Sequence, residues 1–218
     1  MRTQTINAIE REKVIAIVRG ADPEQCLKIA HALYEGGIRL MEVTYNQKAP
    51  ESFQDTANTI AALVKEFEGK MLIGAGTVVS THLVELTAAA GGKFIISPDA
   101  NPDVIRRTRE LGLVSIPGGL TPTEIMAAHN AGADFVKLFP VAQLGIPYVK
   151  AVMAPISHVK MLAVGGVNEN NIVDYLQAGL YGAGIGGNLA NMKWINAGQY
   201  EKITETARTI VEKIQNLG

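Results

Sequence analysis

The 218-residue sequence predicts a single α/β domain over residues 1–218, a (β/α)8 or TIM barrel with an extra helix at its N-terminus. Three observations predict it. Short apolar runs recur about every 20 to 30 residues, the length of one strand–helix unit. These runs are Val- and Ile-rich and continuous, whereas a sheet with one wet face would alternate; continuous runs belong to parallel strands covered on both sides. Between them lie segments of helical period that open on capping residues and stop at glycine. The rival architecture is an open doubly wound sheet. Eight evenly spaced units in so short a chain, with no composition break, linker or low-complexity segment, favour the barrel.

The elements follow in order. A first helix is expected near residues 3–12, and VIAIV (14–18) is the first strand, ending in Arg19-Gly20. Asp22-Pro23 opens the next helix with an N-cap and a proline at the first helical position, and Gly36-Gly37 ends it. IRLMEVT (38–44) and KMLIGAG (70–76) are strands two and three, the latter leading into Thr77. Ser80 is an N-cap candidate for a helix that stops at Gly91-Gly92. KFIIS (93–97) precedes Pro98, and LVSIP (113–117) follows Gly112 as the fifth strand. Thr121-Pro122-Thr123-Glu124 reads as a capping box. After Gly132, DFVKLF (134–139) is the sixth strand and KMLAVGG (160–166) the seventh, with Asn168 as a further N-cap candidate. Gly179 leads into the eighth, YGAGIGG (181–187), and a last helix is expected near 198–216.

Composition narrows the functional classes. Hydrophobic residues make up 47% and charged residues 19%, the balance of a globular protein with a sizeable core. The net charge is −1 and no run of Lys or Arg occurs, so neither a nucleic acid nor a membrane surface is an expected partner. No apolar run reaches about 18 residues, the length that spans a bilayer. Residues 1–13 are charged and lack an apolar core, so no secretory leader is expected. The one cysteine, Cys26, suits a reducing compartment, and a cytoplasmic location is expected.

In a barrel of this kind, polar residues at strand starts belong to the stable bottom and those at strand ends to the active site. Lys13, Lys70, Lys93 and Lys160 stand at or just before strand starts, where a solvated rim is the ordinary reading. Lys137 differs, being flanked by apolar residues late in its strand. A buried ammonium is relieved by a depressed pKa, and a partly neutral lysine attacks carbonyls. Glu42 is the same oddity with opposite charge. Facing one mouth, the two read as nucleophile and proton carrier; the alternative is a buried salt bridge, which apolar residues often replace without loss of stability. Val164-Gly165-Gly166-Val167 and Gly184-Ile185-Gly186-Gly187-Asn188 follow strands seven and eight, where barrels commonly hold phosphate on backbone N–H groups, although glycines also serve tight turns. His31, His82 and His129 fall in helical segments and His158 precedes strand seven, so no histidine metal site is expected.

The segments AIVRG (16–20), GGIRLMEVT (36–44), IGAGTV (73–78), ISP (96–98), IPGGLTPTE (116–124), KLFP (137–140) and AVGGV (163–167) are each common, but in this order and spacing they are specific. Over nearly the whole chain the sequence resembles the class I aldolases for 2-keto-3-deoxy-6-phosphogluconate and 4-hydroxy-2-oxoglutarate, including the 2-keto-3-deoxy-6-phosphogalactonate branch. The resemblance implies a homotrimer of (β/α)8 barrels with no metal or other cofactor. It implies Lys137 as the Schiff-base lysine, Glu42 as the proton shuttle, Arg19 and Thr77 around the pyruvate half of a 2-oxo acid, and Pro98 in the same wall. Gly165, Gly166, Gly186 and Gly187 match the family's phosphate site, with Asn188 beside them.

The sequence also departs from the family. Asn46 stands where the phosphogluconate enzymes usually carry Arg; Val164 and Asn188 stand where they usually carry Thr and Ser. AVGGV and Asn46 are closer to the phosphogalactonate branch, which tends to have Ile-Pro where this chain has Val43-Thr44. The reaction implied is reversible cleavage of a 2-keto-3-deoxy-6-phospho sugar acid to pyruvate and glyceraldehyde 3-phosphate. The alternatives are cleavage of 4-hydroxy-2-oxoglutarate to pyruvate and glyoxylate, a phosphate-binding barrel isomerase, or a non-catalytic sugar-phosphate binder.

Overall fold

Each of the eight apolar runs forms a parallel strand in the computed structural model, which describes residues 2–217. Met1 and Gly218, the two ends of the domain expected from the sequence, lie outside the described residues. The strands are β1 (Val14–Val18), β2 (Leu40–Thr44), β3 (Leu72–Gly76), β4 (Phe94–Ile96), β5 in two pieces (Val114–Ile116 and Gly118–Gly119), β6 (Val136–Leu138), β7 (Met161–Val164) and β8 (Gly182–Ile185). Pairing runs β5–β4–β3–β2–β1–β8–β7–β6, and β6 returns to the second piece of β5, so the sheet closes on itself. Pro117 divides β5 because it has no N–H for the ladder; its carbonyl still accepts from Lys137 N at 2.8 Å.

The helices are α1 (Arg2–Glu12), α2 (Pro23–Glu35), α3 (Phe53–Glu66), α4 (Thr81–Ala89), α5 (Pro102–Glu110), α6 (Pro122–Asn130), α7 (Gly145–Met153), α8 (Ile172–Gln177), α9 (Met192–Asn196) and α10 (Tyr200–Gln215). The sequence signals act where expected at Asp22, which closes a capping box with Gln25, at Thr121, which closes one with Glu124, and at Ser80. Gly37, Gly91, Gly112, Gly132 and Gly179 all take positive φ after a helix. Asn168 does not start a helix. Its side chain accepts from Asn170 N at 2.8 Å, and α8 begins only at Ile172. The five-residue α9 was not expected, although Asn191 caps it by accepting from Lys193 N at 2.9 Å and Gly198 follows it with positive φ.

Two layers of apolar packing result. One large cluster joins the outer faces of the strands to the helices. A second fills the barrel with Ile15, Leu40, Phe94, Ile96, Val114, Ile116, Phe135 and Leu162, and Ile6 and Ile9 of α1 close it from below. Lys160 sits at the rim as expected, its side chain partly exposed, and its ammonium pairs there with Glu10 of α1. Because strand side chains alternate, the inward series climbs from Leu40 to Glu42 on β2 and from Phe135, just before β6, to Lys137 within it. The two charges therefore form the uppermost layer of the interior. Among the described residues no helix is long and apolar enough to cross a membrane.

Candidate active site

A cavity of about 440 Å³ opens at the C-terminal ends of the strands, and all ten site residues expected from the sequence line it: Arg19, Glu42, Thr77, Pro98, Lys137, Gly165, Gly166, Gly186, Gly187 and Asn188. Ile17, Phe139, Val164 and Val167 complete its apolar walls. A slightly larger hollow of about 500 Å³ lies between α2 and α10, among Lys28, His31, Glu35, Glu205 and Arg208. It is outer surface, and neither of the two buried charged side chains faces it.

Glu42 is 2% exposed and Lys137 8%. Burial pushes the Glu42 carboxyl up to about 7, against the opposing pull of the Lys137 and Arg19 charges. Burial pushes Lys137 down from the ordinary lysine range; Arg19 adds to the effect and Glu42 opposes it. Each group is thus brought toward neutrality by desolvation, and each is the other's main electrostatic counterweight. Glu42 Oε2 is buried with no hydrogen-bond partner among the described residues. Such an atom is expensive in a purely structural role. The Lys137 ammonium lies 4.5 Å from the centre of the Phe139 ring. Neighbouring glycines make the room: a Cβ on Gly76 would sit 1.9 Å from Glu42 Oε1, and one on Gly118 would sit 2.4 Å from the Pro98 carbonyl oxygen.

One side of the mouth is polar. The exposed Arg19 donates from Nη2 to Thr77 Oγ1 at 3.1 Å. Thr77 itself has φ +57, and its carbonyl accepts from Gln47 Nε2 at 2.8 Å. The opposite side is built from the two glycine loops, in which the carbonyls of Gly165, Gly166 and Gly186 are engaged by groups of the protein. Gly165 O accepts from Ala142 N, Gly166 O from the Asn171 amide, and Gly186 O from Leu189 N and Ala190 N. Asn188 donates its amide to Val167 O at 2.9 Å and so ties one loop to the other. Among the described residues, the N–H groups of Gly166, Val167, Gly187 and Asn188 donate to no backbone carbonyl. This donor-rich concavity suits an anion. Because α8 starts at Ile172, these N–H groups rather than a helix directly after Val167 would carry the interaction.

Sequence reasoning missed Ile17, Phe139 and Gln47. Ile17 follows the inward-facing Ile15 by two residues, a signal that was present. Gln47 has no sequence signal, since it acts from a loop. Among the described residues no group of three or more His, Cys, Asp or Glu side chains is placed to hold a metal ion.

The chain resembles known proteins over most of its length. Residues 5–206 match the family described as KDPG and KHG aldolase. A probable 2-dehydro-3-deoxy-6-phosphogalactonate aldolase of Rhizobium meliloti is 40% identical over 81% of both chains. The 2-dehydro-3-deoxy-6-phosphogalactonate aldolase of Escherichia coli is 36% identical over 81% of this chain and 83% of its own. The 2-dehydro-3-deoxy-phosphogluconate aldolase of Treponema pallidum is 32% identical over 94% and 95%. Among solved structures, a native KDPGal structure superposes with a TM-score of 0.83 at 34% identity, covering 93% of this chain and 94% of that one. A KDPG aldolase from Legionella pneumophila, with pyruvate captured at low pH as a covalent carbinolamine intermediate, superposes with a TM-score of 0.85 at 28% identity over 96% and 99%. A designed cube-shaped cage, made by fusing symmetric oligomeric domains, matches at a TM-score of 0.83 and 33% identity over 94% of this chain and 72% of the cage chain. With its fold, its sequence and the span of the match in agreement, the chain belongs to the KDPG and KHG aldolase family and is a lyase.

Proposed function

We propose that this aldolase reversibly splits a 2-keto-3-deoxy-6-phospho sugar acid into pyruvate and glyceraldehyde 3-phosphate through a Schiff base on Lys137. One observation carries the reading: a buried lysine with a lowered pKa and a buried carboxyl with a pKa near 7 share the top layer of one cavity. The neutral Lys137 amine adds to C2, and loss of water gives an iminium. Glu42, as carboxylate, takes the C4 hydroxyl proton; the C3–C4 bond breaks, and its electron pair passes into the iminium to give an enamine. Glu42 returns the proton to C3, and water releases pyruvate. No metal or other cofactor takes part. Arg19 and Thr77 hold the pyruvate carboxylate against the Pro98 wall, while the N–H groups of the two glycine loops hold the phosphate. The higher identities to the phosphogalactonate enzymes favour that sugar acid over phosphogluconate.

By the same resemblance the enzyme works as a homotrimer. Native mass spectrometry after borohydride treatment with pyruvate tests both points. The expected particle has three subunits, each with one reduced adduct at Lys137, formed equally well in EDTA. Label on another lysine, or trapping abolished by EDTA and restored by a metal, overturns the mechanism. Release of pyruvate from 4-hydroxy-2-oxoglutarate in preference to both phosphorylated acids overturns the substrate assignment.

A further inference from the structure

β3 ends at Gly76, and Thr77 follows it with φ +57. Glycine occupies this left-handed region freely, whereas a β-branched residue there is an outlier that persists only if its surroundings enforce it. Among the described non-glycine residues only Lys13, before β1, shares this sign of φ. Relaxing Thr77 to negative φ would rotate the peptide groups on both of its sides. The Gly76 carbonyl is pinned by Tyr45 N at 3.0 Å. The Thr77 carbonyl is pinned by a side chain, Gln47 Nε2, at 2.8 Å. Beyond it, Val78 is fixed by its N–H to Ile96 O at 3.2 Å and by Ser97 Oγ, which donates to Val78 O at 2.6 Å.

The held conformation has a chemical consequence. Thr77 Oγ1 accepts from the Arg19 guanidinium, so the hydroxyl's own proton is left to donate into the cavity. A carboxylate arriving there meets a full positive charge and an oriented hydroxyl, the stronger kind of hydrogen bonding. We propose that Gln47 is a positioning residue: its amide, reaching from the β2–α3 loop, holds Thr77 in the turn that presents this hydroxyl to the carboxylate of the 2-oxo acid. The inference rests on the reading above in which Arg19 and Thr77 take that carboxylate. Gln47 is itself exposed and does not touch the reacting atoms.

The test is the pyruvate concentration that gives half-maximal borohydride trapping, read in four proteins: the parent, Gln47→Met, Thr77→Gly and the double variant. Methionine keeps the length of glutamine and removes the donor without adding charge. Gln47→Met is expected to raise the half-saturating concentration about 3- to 10-fold, the worth of one hydrogen bond, with the maximal trapped fraction and the melting temperature unchanged. Thr77→Gly keeps the turn without help and lacks the hydroxyl, so it should weaken pyruvate on its own. Adding Gln47→Met to it should cost less than about 2-fold, because coupled residues are not additive. If Gln47→Met saturates at the parent's concentration, or costs the same factor in both backgrounds, Gln47 is a surface tie and the proposal fails. If Thr77→Gly leaves half-saturation unchanged, the carboxylate assignment beneath it fails as well, so the two failures are told apart.

Discussion

An ammonium in the middle of a strand with no wet side is explained by height in the barrel. Phe135, two residues earlier, points into the same interior and belongs to its apolar filling; Lys137 is one layer higher, where the filling gives way to the cavity. The same two-residue step separates Leu40 from Glu42. The environment that raises the Glu42 pKa also fixes its pH behaviour. Below about 7 the carboxyl keeps its proton and cannot accept one from the C4 hydroxyl, so turnover is expected to rise with pH through about 7. Glu42→Gln should flatten that limb and lower turnover about 10²- to 10⁴-fold while preserving the pyruvate adduct. Stability has the opposite sign. The folded protein holds the Glu42 proton up to about 7, while an unfolded chain releases it near the ordinary value of 4.5. The favourable contribution is therefore complete below 4.5 and lost as pH rises through 7. Melting curves should show Glu42→Gln gaining on the parent between pH 5 and 8. A pH-independent difference would mean that Glu42 stays ionised throughout.

At the scale of the element, the two glycine loops are not equivalent probes. Gly166 has φ +79, and a Cβ there would lie 2.4 Å from Ala142 Cβ, so any side chain strains the loop itself. Gly187 has no atom within 4 Å of an added Cβ and ordinary φ, so a side chain would project into the cavity with the fold intact. Gly187→Val is therefore expected to depress kcat/KM for a phosphorylated acid by about 1 kcal/mol or more, and to leave pyruvate trapping at Lys137 unchanged. Equal behaviour of parent and variant towards the phosphorylated acid would make these glycines turn formers only. The elements that could be read in the sequence were those set by local physics: Val- and Ile-rich runs, the N-cap at Asp22, the capping box at Thr121, and glycines taking positive φ. What escaped depended on distant partners. Asn168 reads as an N-cap in isolation, yet Asn171 and Gly166 draw the chain into a turn that delays α8 to Ile172. Likewise, nothing around Gln47 announces that its partner is thirty residues away, because a side-chain-to-backbone bond between two loops leaves no periodic trace.

For the whole molecule, the barrel separates chemistry at its top from closure at its bottom, and α1 performs the closure. Ile6 and Ile9 cover the lower end of the interior cluster, and Glu10 reaches Lys160 at the foot of β7. A more buried join is at Asp134, whose side chain is 4% exposed. It receives the Arg2 guanidinium through both oxygens and also accepts from Ser115 N at 3.0 Å. One carboxylate thus fastens α1, β5 and the approach to β6, three residues before Lys137. Asp134→Ala would leave the Ser115 N–H without its acceptor and Arg2 without its counter-charge. A loss of about 2 to 4 kcal/mol in unfolding free energy is expected, readable by urea denaturation. Asp134→Asn should lose less, because one amide oxygen can still accept from Ser115 N. The catalytic layer stands above the apolar filling rather than on α1, so both variants, assayed well below their melting temperatures, should keep the parent's kcat and KM within about twofold. A drop in kcat that tracked the loss of stability would show that closure at the bottom also sets the position of Lys137, and that the two ends of the barrel are mechanically coupled.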